Sequence, residues 1–125
     1  MAMEPSPNGS QTQSPGSLPD GLIAVVKADC PACSLARSVF VDLAERADLT
    51  VYTQDDPAFP TEADWVVDDT DLSISWGLDL DAVPTLLRIE GGVEAERTTG
   101  WDRDRWEELT GVSDLGPDLP PFKPG

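Results

Sequence analysis

The 125-residue chain contains no histidine. That absence excludes Ser-His and Cys-His nucleophile pairs, histidine general acid–base catalysis and histidine-ligated metal sites. Cysteine is nearly as scarce, with two residues, Cys30 and Cys33. A structural zinc site takes four ligands, usually Cys or His. This chain would have to recruit carboxylates or a second copy to build one, so no metal and no cofactor are expected. Basic residues are also few: eight Lys and Arg stand against 24 Asp and Glu, a formal net charge of −16. Such a chain repels phosphate backbones and anionic membrane surfaces, so neither nucleic acid nor membrane is expected as a partner. The charge reads as a solubility device or, more sharply, as steering towards a basic partner. No stretch approaches the roughly 18 consecutive apolar residues of a membrane span. Residues 1–17 hold no apolar core of a secretory signal. The resulting expectation is a reducing, cytoplasmic setting, where a C-x-x-C pair points to redox or metal chemistry and not to a structural staple.

What is present is concentrated in the middle of the chain. Twelve prolines and ten glycines gather towards the ends, which divides the chain into a disordered leader (1–17), one domain (18–112) and a Pro-rich tail or linker (113–125) that leaves room for further domains beyond it. Leu22 to Val26 is a continuous apolar run, the pattern of a strand buried on both faces. From Ser34 the period changes: Leu35, Ala36, Val39, Phe40, Leu43, Ala44 and Ala47 mark one face of a single amphipathic helix. Leu49 to Thr53 is a second strand, so strand–helix–strand predicts a parallel pair. Residues 55–68 are acidic and interrupted by Pro57 and Pro60, a long loop with room for a short extended piece at Trp65 to Val67. Asp71 to Trp76 reads as a short helix capped by Gly77, and Thr85 to Ile89 as a third strand. Gly91-Gly92 turns that strand into a partner at Val93 to Thr99. Asp102 is a good N-cap for a last helix over 103–110 that stops near Gly111. The order is β-α-β-α-β-β-α, an α/β fold with a central mixed four-stranded sheet.

The chemistry lies in Cys30-Pro31-Ala32-Cys33. Thiol–disulfide exchange needs a thiolate nucleophile and a second thiol near enough to release the mixed disulfide. A strand that runs into C-x-x-C and opens a helix supplies both. Cys30 would sit at the helix N-terminus, where unpaired N–H groups favour negative charge, with Cys33 one turn further in and less exposed. Cys30 is therefore expected to attack and Cys33 to resolve. Pro31 stiffens the turn, and Asp29 places an opposing negative charge beside the nucleophile, partly offset by Lys27. Trp65, Trp76 and Trp106 read as packing residues.

These residues resemble the thioredoxin-like superfamily, in the form of a thioredoxin/glutaredoxin-like domain with a C-P-A-C redox motif. Asp20 to Val26 leading into Cys30-Pro31-Ala32-Cys33 carries the resemblance first. Trp76-Gly77 leading to Val83-Pro84-Thr85, and then Gly91-Gly92 followed by Gly100, carry it further. The resemblance implies a minimal thioredoxin-like fold and a thiol–disulfide oxidoreductase, specifically a dithiol reductase of protein disulfides cycling through a Cys30–Cys33 disulfide. It implies that Pro84 is cis and lies beside the cysteine pair, and that Val83 offers its backbone to a bound substrate chain. Pro31 and Gly100 would line the same groove, with Trp101 at its rim. A protein disulfide substrate and an upstream reductase would be the partners. Two departures stand out. Asp29 occupies the position where thioredoxins carry Trp, and Ala24 the position of their buried proton-relay acid. A docking module with little redox turnover, and a glutathione-linked glutaredoxin, are the alternatives. Basic residues suited to glutathione are scarce near the pair.

Overall fold

The computed structural model describes residues 18–125. The apolar run at the start of the domain forms β1 (Gly21–Val26), and its side chains divide by the strand's period of two. Leu22, Ala24 and Val26 belong to one core cluster, while Ile23 and Val25 belong to another on the opposite face. A strand buried on both faces must be central, and β1 pairs in parallel with β2 (Leu49–Thr53) on one side and antiparallel with β4 (Thr85–Glu90) on the other. The sheet continues through β3 (Val66–Asp68), parallel to β2, and β5 (Val93–Thr99), antiparallel to β4. Its order is β3-β2-β1-β4-β5. The sheet thus has five strands where four were expected. The extra one is the short extended piece of the acidic loop, whose Trp65 carbonyl accepts the Val51 N–H of β2 (2.7 Å) and draws it onto the β2 edge.

Two helices, α1 (Pro31–Leu35) and α2 (Arg37–Arg46), replace the single helix read from the periodicity. The break is at Ala36, whose ψ of 5° leaves the helical region and whose carbonyl accepts from both Val39 and Phe40. The apolar face is unbroken: Ala36, Val39, Phe40 and Leu43 all pack into the cluster below α1 and α2. A third helix, α3 (Ser73–Leu78), covers the opposite sheet face through Ile74 and Leu78. Its C-cap is Asp79, in the left-handed region (φ 53°), so Gly77 lies inside the helix and is not its cap. Trp76 is 87% exposed, against the expectation that it packs. Ile74 and Leu78, four residues apart, take the inward face, and Trp76 between them falls on the other side.

The hairpin turn Gly91-Gly92 has positive φ at both glycines (61° and 78°), the backbone a two-residue turn requires. The last helix, α4 (Arg103–Thr110), starts at Asp102, whose carboxylate accepts from the Arg105 N–H (3.2 Å), and ends at Gly111 with φ 74°. It brings Trp106 into the core against Phe40 and Trp101, with ring centroids 5.3 and 4.9 Å apart.

The Pro-rich segment 113–125 is extended, but it is not a detached tail. Leu115 is fully buried. A two-residue strand, β6 (Trp101–Asp102), pairs with another, β7 (Phe122–Lys123). Prolines bar this segment from helix or central sheet, and its carbonyls find side-chain donors on β6 and α4 instead. The leader expected at 1–17 lies outside the described residues. No helix among the described residues is long and apolar enough to cross a membrane.

Candidate active site

Cys30 is the N-cap of α1, in extended conformation (φ −154°, ψ 116°), and Pro31 takes the first helical position, where a missing N–H costs nothing. The Cys30 Sγ accepts a hydrogen bond from the Cys33 N–H at 3.3 Å, so a backbone donor faces the sulfur. Cys30 is 9% exposed and Cys33 fully buried, and both are free thiols. Burial pushes the Cys33 thiol far above its ordinary value, and its hydrogen bond with Cys30 adds to the effect. The two residues are therefore inequivalent: Cys30 is slightly exposed, its sulfur facing an N–H donor, and Cys33 is held neutral deeper in the core. Ala24 lies fully buried in the same cluster as the pair and supplies no proton-carrying group.

The loop between β1 and α1 is held from outside. Asp55, just past the end of β2, accepts the Ala28 N–H (2.7 Å) on one carboxylate oxygen and the Asp29 N–H (3.0 Å) on the other. Desolvation acts against its charge. The N–H donors of Ala28, Asp29 and Asp56, with the Lys27 charge, prevail and hold the carboxyl below its ordinary range. Ser34 Oγ–H closes the turn onto the Ala28 carbonyl at 3.3 Å. Asp55 was not singled out from the sequence. Its partners are 26 and 27 residues away, and only the β1–β2 pairing brings them together.

Val83 reaches the pair from the loop before β4. Its carbonyl lies 3.5 Å from the Cys30 Sγ, the Val83–Pro84 peptide is cis, and the Pro84 carbonyl accepts the Gly100 N–H at 2.7 Å. A cleft of about 240 Å³ beside Val83 is lined by Lys27, Gln54, Leu80, Asp81 and Ala82. Cys30, Pro31, Cys33, Val83, Pro84 and Gly100 thus converge on one region, and Trp101 does not join them at its surface. Trp101 was expected at a rim, but it is fully buried, edge-on to Trp106, with its indole N–H donating to the Pro120 carbonyl at 2.7 Å. The β6–β7 pairing places Trp101 beneath the C-terminal segment and turns its ring into the core. Among the described residues no group of three or more Cys, His, Asp or Glu is placed to hold a metal.

The mixed sheet, in the order β3-β2-β1-β4-β5, belongs to an α/β domain that places a CxxC pair at the β1–α1 junction beside the Val83–Pro84 loop. Two thiols one turn apart at a helix start have the geometry that thiol–disulfide exchange requires. Among solved structures, the chain is similar to reduced Schistosoma mansoni thioredoxin pre-protein, with 17% identity, 74% of this chain and 78% of that chain covered, and a TM-score of 0.49. No family model and no curated protein matches the chain.

Proposed function

We propose that this protein is a dithiol reductase of protein disulfides. The observation that supports this best is the asymmetry of the pair: Cys30 is nearly buried but keeps 9% exposure, with the Cys33 N–H on its sulfur, while Cys33 is fully buried one turn below. In this reading the Cys30 thiolate attacks one sulfur of a substrate disulfide. A Cys30–substrate disulfide forms and the other substrate sulfur leaves as a thiolate. Cys33, held neutral until then, passes its proton to that departing thiolate or to water, because Ala24 offers no relay. Its sulfur attacks Cys30, closing the Cys30–Cys33 disulfide and releasing the second substrate thiolate. Two electrons pass from the pair to the substrate; of the two protons on the product thiols, one is the Cys33 proton and the other returns from solvent, which took the Cys30 proton when its thiolate formed. An upstream dithiol reductase would return the pair to its reduced state, in a reducing cytoplasmic setting and without a bound cofactor. The Val83 backbone and Gly100 would hold the substrate chain extended across Cys30 and Pro31.

Exchange with oxidised insulin tests the reading. Cys33→Ser is expected to accumulate mixed disulfides at Cys30 that a reductant releases. Cys30→Ser is expected to lose turnover by about 100-fold or more, the scale of losing a nucleophile. Undiminished insulin reduction by Cys30→Ser would overturn the assignment. The missing relay acid at Ala24 favours one other reading, a docking module. Partner capture that is equal for the oxidised and reduced pair, with no turnover, would identify it.

A further inference from the structure

The groove assigned to the substrate is already occupied. Beyond Leu115 the chain turns back along α4 and β6, anchored by one guanidinium and one indole. Arg103 donates to the carbonyls of Leu115 (3.0 Å), Gly116 (2.7 Å) and Leu119 (2.5 Å), and its backbone N–H donates to Pro121 O (3.0 Å). Trp101 binds Pro120 O. The last four residues then run antiparallel to β6, with Phe122 opposite Asp102 and Lys123 opposite Trp101. They arrive over Gly100. A β-carbon built there would stand 3.0 Å from Gly125 N, 3.2 Å from Lys123 O and 3.3 Å from Pro124 Cα. A β-carbon on Gly125 would collide with the Val83 carbonyl oxygen. That oxygen is the acceptor of the Cys30 thiol. Residues 122–125 therefore cover both backbone stations, Gly100 and Val83, that an extended substrate would use.

The hold on these four residues is weak compared with that on the residues before them. Residues 115–121 are anchored by buried Leu115 and the Arg103 and Trp101 bonds. By contrast Phe122 is 59% exposed, Pro124 and Gly125 are exposed, and Lys123 is half-buried. Backbone contact and a two-residue pairing hold them down, so they can lift about Pro120-Pro121 while Leu115 and the Arg103 and Trp101 bonds stay in place. We propose that residues 122–125 are a strap that competes in cis for the groove beside Cys30, restricting access of extended protein chains while leaving small thiol reagents largely unhindered. This rests on the groove reading above and adds its regulation.

Two variants release the strap without removing a buried side chain: Gly125→Val, which cannot seat against Val83 O, and deletion of residues 122–125. The first measurement is the alkylation rate of the reduced protein by a maleimide-ended polymer relative to iodoacetamide. A strap closed about nine-tenths of the time predicts a rise of about tenfold in that ratio, with iodoacetamide alone changing less than about twofold. The second is the KM for oxidised insulin, expected to fall several-fold while reduction of bis(2-hydroxyethyl) disulfide stays the same. An unchanged alkylation ratio in the deletion variant overturns the strap, whatever the enzyme then does to insulin. A raised ratio with no disulfide reduction by any form upholds the strap and overturns the reductase reading instead.

Discussion

Asp55 holds the approach to Cys30 without touching either sulfur. Its two oxygens each accept a backbone N–H of the loop that presents the cysteine. Asp55→Ala is expected to lower stability by about 1 kcal/mol, the usual cost of losing a side-chain acceptor for loop N–H groups near the surface. Asp55→Asn, which keeps one carbonyl oxygen, should lose about half of that. Urea midpoints of the two variants provide the check. Cys33 gives the matching prediction at alkaline pH. Its folded-state value lies above the ordinary 9.0. Below pH 9 folded and unfolded chains both keep the proton, and the contribution to stability is complete. As pH rises past 9 the unfolded chain ionises and the folded one does not, so stability falls, by on the order of 1 kcal/mol per pH unit. Cys33→Ala should flatten that slope in unfolding experiments between pH 8 and 10.5. Tyr52 leaves a residue of the same sign, since burial and then the Asp69 charge raise its phenol as well.

Among the elements, the C-terminal segment differs most from a linker in its energetics. Leu115 closes the cluster that also holds Val39, Phe40, Trp101, Trp106 and Leu109. Leu115→Ala is expected to cost about 2–5 kcal/mol, the range for emptying a buried leucine site, and to appear as a lower denaturant midpoint of the whole domain. A detached segment would show no change. The two-part helix α1–α2 illustrates a different point. Ala36 interrupts the helical backbone, yet the inward face stays continuous, because Ala36 itself and Val39 and Phe40 remain packed. Burial of that face outweighs the loss of regular geometry at one residue.

For the molecule as a whole, charge is the dominant surface property. With a formal net charge of −16, like charges repel across a small compact body. Adding NaCl from 0.01 to 0.2 M at pH 7 should therefore raise the denaturant midpoint, as the screening length contracts from about 30 Å to below 10 Å. The same field would speed encounters with a basic disulfide-bearing protein and slow those with an acidic one. Second-order rates for the two substrate types should converge as salt rises.

Patterns with short range in sequence were legible without coordinates. Consecutive buried positions announced β1, the 3.6-residue period announced the face of α2, Gly91-Gly92 announced the hairpin, and Asp102 and Gly111 bounded α4. C-x-x-C at a strand–helix junction marked the candidate site, because local geometry alone places Cys30 at a helix start and Cys33 one turn inside. What tertiary structure decided was everything that depends on distant segments meeting. Trp101 looked like a rim residue and is a core residue, since only β6–β7 pairing shows which side of it is covered. Trp76 looked buried and is exposed, because Ile74 and Leu78 take the inward face of α3. Val66 to Asp68 became a fifth strand once β2 offered an open edge. Asp55 reached the cysteine loop, and residues 122–125 reached Val83, across separations of tens of residues. The amino-acid sequence by itself determined β1, β2, the hairpin, α4 and the position of the cysteine pair, because hydrophobic period and helix capping act within a turn or two of chain. The support and covering of that pair were decided only by the packed fold, because they are contacts between surfaces that no local pattern encodes.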